Sequence, residues 1–122
     1  MSHCGDLIGV PYRLGSDGSD GSIDCIHLCY RVWERVGIEA PEFKESWYEA
    51  SKWTICRDLM RWGVRVEKPA YDGDILLLRQ QSKAFAVTWQ TGILYINPHI
   101  EKVAWASAQL FQGQPCFRSR SS

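Results

Sequence analysis

Gly15-Ser16-Asp17-Gly18-Ser19-Asp20-Gly21-Ser22 leads into Asp24-Cys25-Ile26-His27-Leu28, and this junction decides the fold. The first segment has the composition of a flexible loop, because glycine, serine and aspartate all favour turns. Asp24 can cap a helix that begins near Cys25 and ends at Val36, before the natural stop at Gly37. Apolar residues recur along this helix at steps of three and four, which predicts one buried face; they are Ile26, Cys29, Tyr30 and Trp33.

A thiol at the start of a helix is a candidate nucleophile. The helix N-terminus carries a partial positive charge, which stabilises a thiolate and lowers the pKa of a cysteine placed there. The thiolate is the form that attacks an acyl group. The alternative for Cys25 is a small buried core thiol, the more common role when nothing else accompanies the cysteine. The surrounding residues therefore decide between the two.

The rest of the chain is expected to place helices before a sheet. Residues 42–62 have roughly helical spacing and predict two short helices, the second over residues 55–62 and ended by Gly63. Thr91-Gly92 is predicted as a tight hairpin turn, and residues 118–122 as a loose polar tail. Six short runs are typical of strands: residues 64–66, 75–78, 85–90, 93–97, 103–105 and 115–117. This segregation indicates the α+β class, with N-terminal helices packed on an antiparallel sheet.

Length and charge limit the class of protein. The 122 residues suit a single domain over residues 1–122. The 14 basic and 14 acidic side chains leave no net charge, so no overall basic field favours nucleic acid or an anionic membrane as a partner. No apolar run approaches the roughly 20 residues that span a bilayer. Residues 1–6 lack the features of a signal peptide, which predicts a cytoplasmic protein or one exported by another route.

Metal sites, cofactors and disulfides are not expected. The five cysteines are odd in number and lack the spacing of a disulfide framework or a zinc site, which indicates reduced thiols. A calcium-binding loop is an alternative, since Asp17, Asp20 and Asp24 recur in the glycine-rich segment, but their spacing is not that of an EF-hand. The six tryptophans are interpreted as core residues in preference to a ligand platform.

Four blocks of sequence resemble one family when they are taken together. They are Gly9-Val10-Pro11-Tyr12-Arg13-Leu14-Gly15, Asp24-Cys25-Ile26-His27-Leu28, Val36-Gly37-Ile38-Glu39-Ala40-Pro41 and Asp72-Gly73-Asp74-Ile75. In this order they resemble the NlpC-type cell-wall cysteine peptidases, and they span most of residues 5–97. The resemblance implies a papain-like α+β fold and a peptidase or amidase that acts on peptides such as peptidoglycan stem peptides. It also implies a cytoplasmic recycling enzyme or a phage tail-associated protein.

The resemblance implies a role for each matching residue. Cys25 matches the family's nucleophile, and Asp24 matches the acidic residue before it, for which we expect a capping role. Tyr12 matches a tyrosine that lies beside the nucleophile and shapes the site. Backbone N–H groups near Cys25 are the expected oxyanion donors. Asn97 falls at the third polar position, which orients the catalytic base; the alternative for Asn97 is a strand-end residue before a proline.

The chain departs from the family where a histidine base is expected. Counting back from Asn97 puts Phe85 at that position, and a shift of one residue puts Ala86 there. Neither side chain can accept a proton. His99 is the candidate for a substitute base. His27 lies about 200° around the helix from Cys25 and should diverge from it, and His3 lies near the terminus. A second departure replaces the family's small Ser-Gly pair with Ile26-His27.

Two functions follow from these matches and departures. The first is a cysteine peptidase or amidase of impaired or unusual activity, because its histidine is missing. The second is a non-catalytic structural or peptide-binding module of the same fold, such as a phage tail component. Loss of a base from such a pair reduces the rate by several powers of ten. An imidazole nitrogen within hydrogen-bond reach of Cys25 would favour the first function.

Overall fold

Two α-helices and a six-stranded antiparallel sheet make up the computed structural model, which describes residues 4–79 and 81–120. His3 and residues 121–122 lie outside this part of the chain. The helices are α1 (Cys25–Val36) and α2 (Lys52–Trp62). The strands are β1 (Gly63–Val66), β2 (Ile75–Leu77), β3 (Phe85–Trp89), β4 (Gly92–Asn97), β5 (Lys102–Ser107) and β6 (Cys116–Ser119). Short 3-10 turns occupy Gly5–Leu7, Glu45–Tyr48 and Ala108–Phe111. The predicted α+β class is confirmed.

The sheet does not follow chain order at one edge. Its strands run β1-β6-β2-β3-β4-β5, so the last strand lies between the first two. Val64 pairs with Arg118 on one side of β6, and Ile75 pairs with Phe117 on the other. Strands β2 to β5 form a meander of consecutive antiparallel neighbours. Helix α1 packs against β3 and β4, which brings the start of the helix to the centre of the sheet.

Helix α1 begins and ends where its sequence predicts. Asp24 is extended, with φ −98° and ψ 174°, and its side chain accepts a hydrogen bond from the backbone N–H of His27. Gly37 has a left-handed φ of 78°, and its N–H closes the helix on the carbonyl of Trp33. The buried face includes Ile26, Cys29 and Trp33, as the apolar spacing indicates.

The core lies on both faces of the sheet, with the helices on one of them. Along β3, Phe85, Val87 and Trp89 belong to the larger cluster on the helix side, whereas Ala86 belongs to the smaller cluster on the opposite side. Burial of each large apolar side chain contributes roughly 1.5–3 kcal/mol. Trp33 is fully buried and donates its indole N–H to the carbonyl of Gly73 at 2.7 Å, which joins α1 to the turn before β2.

The hairpin between β3 and β4 turns one residue earlier than Thr91-Gly92. Its turn residues are Gln90 and Thr91, both with positive φ (49° and 63°), which is the geometry of a two-residue hairpin turn. Gly92 is instead the first residue of β4. A Cβ atom on Gly92 would lie 2.3 Å from the indole ring of Trp105. Glycine at this position therefore leaves room for the Trp105 ring to pack against the backbone of β4.

Two other boundaries differ from the predicted ones. Helix α2 begins at Lys52 instead of residue 55, because the side chain of Ser51 accepts a hydrogen bond from the N–H of Thr54. The predicted loose tail is wrong for residues 118–119, which belong to β6. Arg118 makes a bidentate ion pair with the buried carboxylate of Asp74, with contacts of 2.8 to 3.2 Å. Strand pairing and this ion pair hold the segment in place.

Candidate functional site

Cys25 is the first residue of α1 and is buried, with 8% of its surface exposed to solvent. Burial, together with the negative charge of Asp24, raises the pKa of the Cys25 thiol to about 11. Hydrogen bonds from the backbone N–H groups of Phe85, Cys25 and Ile26 oppose this effect on the pKa without cancelling it. At pH 7 a thiol with this pKa is a thiolate in roughly one molecule in ten thousand. Burial therefore outweighs the helix N-terminus.

Asp24 organises the polar groups around the start of α1. Its carboxylate is buried and accepts hydrogen bonds from the backbone N–H groups of Gly15, at 3.0 Å, and His27, at 2.7 Å. The ring nitrogen Nδ1 of His27 lies 2.9 Å from the same carboxylate, and the hydroxyl of Tyr48 donates to its other oxygen. Because a buried carboxylate is costly unless its oxygens are satisfied, the donors from Gly15, His27 and Tyr48 explain how the Asp24 carboxylate can be buried beside Cys25.

Tyr48 is a site residue that sequence reasoning missed. It follows from no local motif and lies 24 residues beyond Asp24, in the 3-10 turn Glu45–Tyr48. Burial and the hydrogen bond to Asp24 raise the pKa of the Tyr48 hydroxyl, so it remains a donor at neutral pH. Only the tertiary fold brings this turn to α1, and the sequence alone carries no signal for the contact.

Tyr12 reaches the same region from the N-terminal segment. It pairs with Ile23 in an isolated bridge, and its backbone N–H donates to the carbonyl of Glu101 at 2.8 Å. Burial raises the pKa of the Tyr12 hydroxyl, and the charges of Cys25 and Asp24 add to the effect. The ammonium of Lys83 lies 4.7 Å from the centre of the Tyr12 ring. The structure therefore gathers Tyr12, Asp24 and Cys25 in one place.

The strand beside Cys25 presents Phe85 to the thiol. The backbone N–H of Phe85 hydrogen-bonds the sulfur, and the ring is buried against Trp47, with 5.7 Å between ring centres. Ala86 faces the opposite side of the sheet. Phe85 is thus the residue that occupies the place beside Cys25, and it offers no group that could accept a proton.

Asn97 is not brought to Cys25. Leu94 and Ile96 face the helix side of β4, so the alternation of the strand puts Asn97 on the opposite face with Tyr95. Its side-chain oxygen accepts a hydrogen bond from the backbone N–H of His99 at 2.9 Å, and its amide nitrogen lies 3.5 Å from the hydroxyl of Tyr95. The geometry matches the alternative of a strand-end residue that shapes the turn.

Neither of the histidines that the structure describes contacts Cys25. His99 is exposed in the turn between β4 and β5, and no contact between its ring and the thiol occurs within residues 4–79 and 81–120. His27 folds back onto Asp24 and packs against Phe43, with 5.1 Å between ring centres. Its divergence from Cys25 agrees with its position on the helix.

The carboxylates of Asp17 and Asp20 accept hydrogen bonds from serines within the glycine-rich loop itself. Asp17 accepts hydrogen bonds from the N–H and hydroxyl of Ser19, and Asp20 accepts them from Ser22 and Ser16. Within the described part of the chain, no group of three or more His, Cys, Asp or Glu side chains could hold a metal ion. In the same part, no helix combines the length and apolar character needed to cross a membrane.

Five clefts occur among the described residues, and Cys25 lines none of them. One cleft of about 400 Å³ lies between α1 and residues 38–43 and is called the His27 cleft; its walls include His27, Tyr30, Glu34, Ile38, Ala40 and Phe43. A second, of about 520 Å³, has Leu14 and Tyr48 in its walls. The thiol opens into neither of them.

Comparison with known proteins does not assign the chain to a family. No protein-family model matches the chain, and no curated protein matches its sequence.

Proposed function

We propose that this chain is a papain-like domain of the NlpC type that has lost thiol chemistry and serves as a non-catalytic structural or peptide-binding module. Two features support the architecture: Cys25 begins α1, and α1 packs on the sheet at β3 and β4. The four resembling sequence blocks occur in the order that this architecture requires. Peptide, including a peptidoglycan stem peptide, is the class of ligand that the resemblance implies.

One observation carries the loss of catalysis: Phe85 occupies the place beside the thiol of Cys25. A cysteine peptidase needs a base that takes the thiol proton and later donates it to the leaving amine. Phe85 supplies only a backbone N–H and an apolar ring. The thiol therefore stays protonated at neutral pH, and neither His27 nor His99, the histidines of the described residues, contacts it to complete the reaction.

A weakly active cysteine peptidase or amidase is the second candidate. It is favoured by the capped helix start, where Asp24 holds the first turn and the backbone N–H of Ile26 points at the sulfur. This function requires a base from elsewhere, and His99 is the candidate, since the neighbouring Glu101 contacts the backbone of Tyr12. Hydrolysis by this route requires the β4–β5 turn to move toward Cys25.

Alkylation of Cys25 as a function of pH distinguishes the two. Native protein is treated with iodoacetamide, and labelling of each cysteine is followed by mass spectrometry. The partly exposed Cys56 is the internal control. We expect Cys25 to label more slowly than Cys56 at pH 7, and both to label equally fast once the chain is unfolded in urea. Selective fast labelling of Cys25 that persists well below pH 8 would support the peptidase and contradict the proposed function.

A further inference from the structure

Charge is segregated along the chain although its sum is zero. Residues 14–49 contain eight acidic and three basic side chains, whereas residues 50–122 contain five acidic and ten basic ones. The two stretches therefore carry net charges of −5 and +5. The acidic stretch forms α1 and the loops around the His27 cleft, and the basic stretch begins with α2. A molecule with this distribution can attract a second copy of itself in one orientation.

The outward face of α2 is both basic and apolar. On α2, Trp53, Arg57, Met60 and Arg61 recur at steps of one, three and four residues. Val64 follows just beyond the helix, in β1, and these five residues are called the α2 stripe. Exposure reaches 71% for Trp53, 50% for Met60 and 44% for Val64. The guanidinium of Arg57 lies 5.3 Å from the centre of the Trp53 ring. An exposed aromatic residue among arginines has the composition of a protein interface.

One acidic residue of α2 partly neutralises the stripe. Asp58, whose side chain is only 9% exposed, lies 3.9 Å from Arg61 and 3.4 Å from Lys44, and it accepts a hydrogen bond from the indole of Trp47. Trp53, Arg57 and Met60 remain exposed. Ile55 and Leu59 hold the opposite face of α2 in the core. The stripe therefore points away from the chain that carries it.

The His27 cleft has the complementary properties. Tyr30, Ile38 and Phe43 give it an aromatic and apolar floor. Asp17, Glu34 and Arg31 also line it, so the two carboxylates and one guanidinium leave the rim a net charge of −1. Glu34 is 69% exposed and lies 3.5 Å from Arg31, whose Nε donates to the carbonyl of Asp17. The volume of about 400 Å³ is enough for a tryptophan side chain, and the rim suits a guanidinium beside it.

We propose that the α2 stripe of one copy binds the His27 cleft of a second copy, with Trp53 on the Phe43 floor and Arg57 and Arg61 facing Glu34 and Asp17. The two patches differ, so the contact is heterologous and leaves a free stripe and a free cleft at the ends of any dimer. Repetition of the contact builds a ring or a filament. The contact involves no atom of Cys25 and stands whether or not the thiol is catalytic.

The same stripe suits an anionic bilayer or nucleic acid less well. Such a partner presents a broad negative surface, which the net charge of −5 on residues 14–49 repels. A second copy supplies its negative charge at one cleft only, beside an apolar floor that matches Trp53. Charge complementarity and the paired aromatic surfaces therefore select a copy of the chain.

Sedimentation velocity over a range of protein concentrations and salt tests the proposal. We expect oligomers at about 50 mM salt that dissociate toward monomer at about 500 mM, because salt screens the charged rim. Trp53→Ala and Arg57→Glu should each weaken association at least about tenfold, as at an interface hot spot. Leu110→Ala is the matched control, since Leu110 is 74% exposed but lies outside both patches. A monomer under all conditions would overturn the proposal, as would oligomers that persist in Trp53→Ala.

A mixing experiment tests whether the contact is heterologous. Arg57→Glu destroys the stripe and keeps the cleft, whereas Glu34→Lys with Phe43→Ala destroys the cleft and keeps the stripe. Each variant alone should be monomeric, and their mixture should give a one-to-one dimer that cannot grow. Circular dichroism of each variant establishes that it is folded. If the mixture stays monomeric while wild type assembles, or if monomers bind anionic vesicles instead, the pairing of stripe with cleft is wrong.

Discussion

Phe85 limits the chemistry open to Cys25, because its backbone N–H contacts the sulfur while its ring fills the space beside Trp47. The same contact makes the site testable by a single substitution. Phe85 belongs to the same core cluster as Cys25, so we expect a group that could hold a proton at position 85 to change how readily the thiol ionises.

Phe85→His should lower the pKa of Cys25. A protonated imidazole beside the sulfur favours the thiolate, so we expect alkylation of Cys25 at pH 7 to accelerate at least about tenfold. Burial of a polar ring should cost about 1–3 kcal/mol of folding free energy. Rates are measured with iodoacetamide and mass spectrometry. Phe85→Leu is the control, because it loosens packing without adding a base; equal rates for the two variants would contradict the assignment.

Local chemistry made part of the site predictable. Asp24 and Cys25 are adjacent in sequence, so a capped helix start with a thiol follows from a few neighbouring residues. The contacts of Tyr48 with Asp24 and of Phe85 with Cys25 join residues far apart in the chain, and their geometry depends on how the sheet meets α1. The sequence therefore indicates the nucleophile position more directly than the state of the thiol.

Tyr48→Phe should destabilise the protein without changing its core volume. The change removes one donor to the buried carboxylate of Asp24, and hydrogen bonds to charged groups contribute about 1.5–3 kcal/mol. Urea unfolding followed by tryptophan fluorescence measures the loss. Tyr95→Phe is the matched control, because its hydroxyl makes only a 3.5 Å contact with Asn97. Equal effects of the two substitutions would show that Tyr48 does not support Asp24.

Elements with strong local signals were predicted more accurately than those that depend on neighbours. Helix α1 has a cap, an apolar stripe and a terminal glycine, and its predicted ends are confirmed. Helix α2 begins three residues earlier than predicted because Ser51 is its cap. The hairpin turn was misplaced by one residue because Gly92, which looks like a turn residue, is needed inside β4 beneath Trp105.

Gly92→Ala should destabilise the β4–β5 pair. The added methyl group would lie 2.3 Å from the Trp105 ring, and overpacking of this kind typically costs about 1–3 kcal/mol. The loss is measured as a fall in Tm. In a Trp105→Ala background the same change should cost much less, because its steric partner is gone. If the cost is the same in both backgrounds, the ring is not the reason for the glycine.

The buried thiols affect the stability of the whole molecule at high pH. Burial raises the pKa of Cys25 to about 11 and of Cys116 to about 12, and raises that of Cys29 well above its usual value. The unfolded chain ionises near its ordinary pKa of about 8.5, whereas the folded chain keeps these protons. The contribution of these buried thiols to the folding free energy is therefore fully present below that pH. It is lost as the pH rises through about 11 for Cys25 and about 12 for Cys116.

We expect the free energy of unfolding to fall between about pH 9 and pH 11, by at most about 1.4 kcal/mol per pH unit for each thiol. Urea titrations at several pH values measure the slope. A Cys25→Ala, Cys116→Ala double variant should show a shallower slope, although cavities lower its stability at every pH. Lysine and tyrosine titrations are common to both proteins, so an unchanged slope would exclude a contribution from these thiols.

The order of strands could not be predicted from the sequence. Each strand carries its own apolar pattern, but nothing local indicates that β6 lies between β1 and β2. The pairing of Asp74 with Arg118 depends on that insertion, since it joins the turn before β2 to the last strand. Pairing over such separations is decided by the packing of the whole sheet.

The position of β6 has a consequence for synthesis on the ribosome. Because Cys116–Ser119 connects β1 to β2, the sheet cannot close until translation has passed residue 119 and released it from the exit tunnel. Until then β1, which directly follows α2, lacks β6, the strand that joins it to β2. A nascent chain held just short of that point should expose to proteases and chaperones the part of the core that Phe117 covers, so closure of the sheet is expected only after residue 119 has emerged.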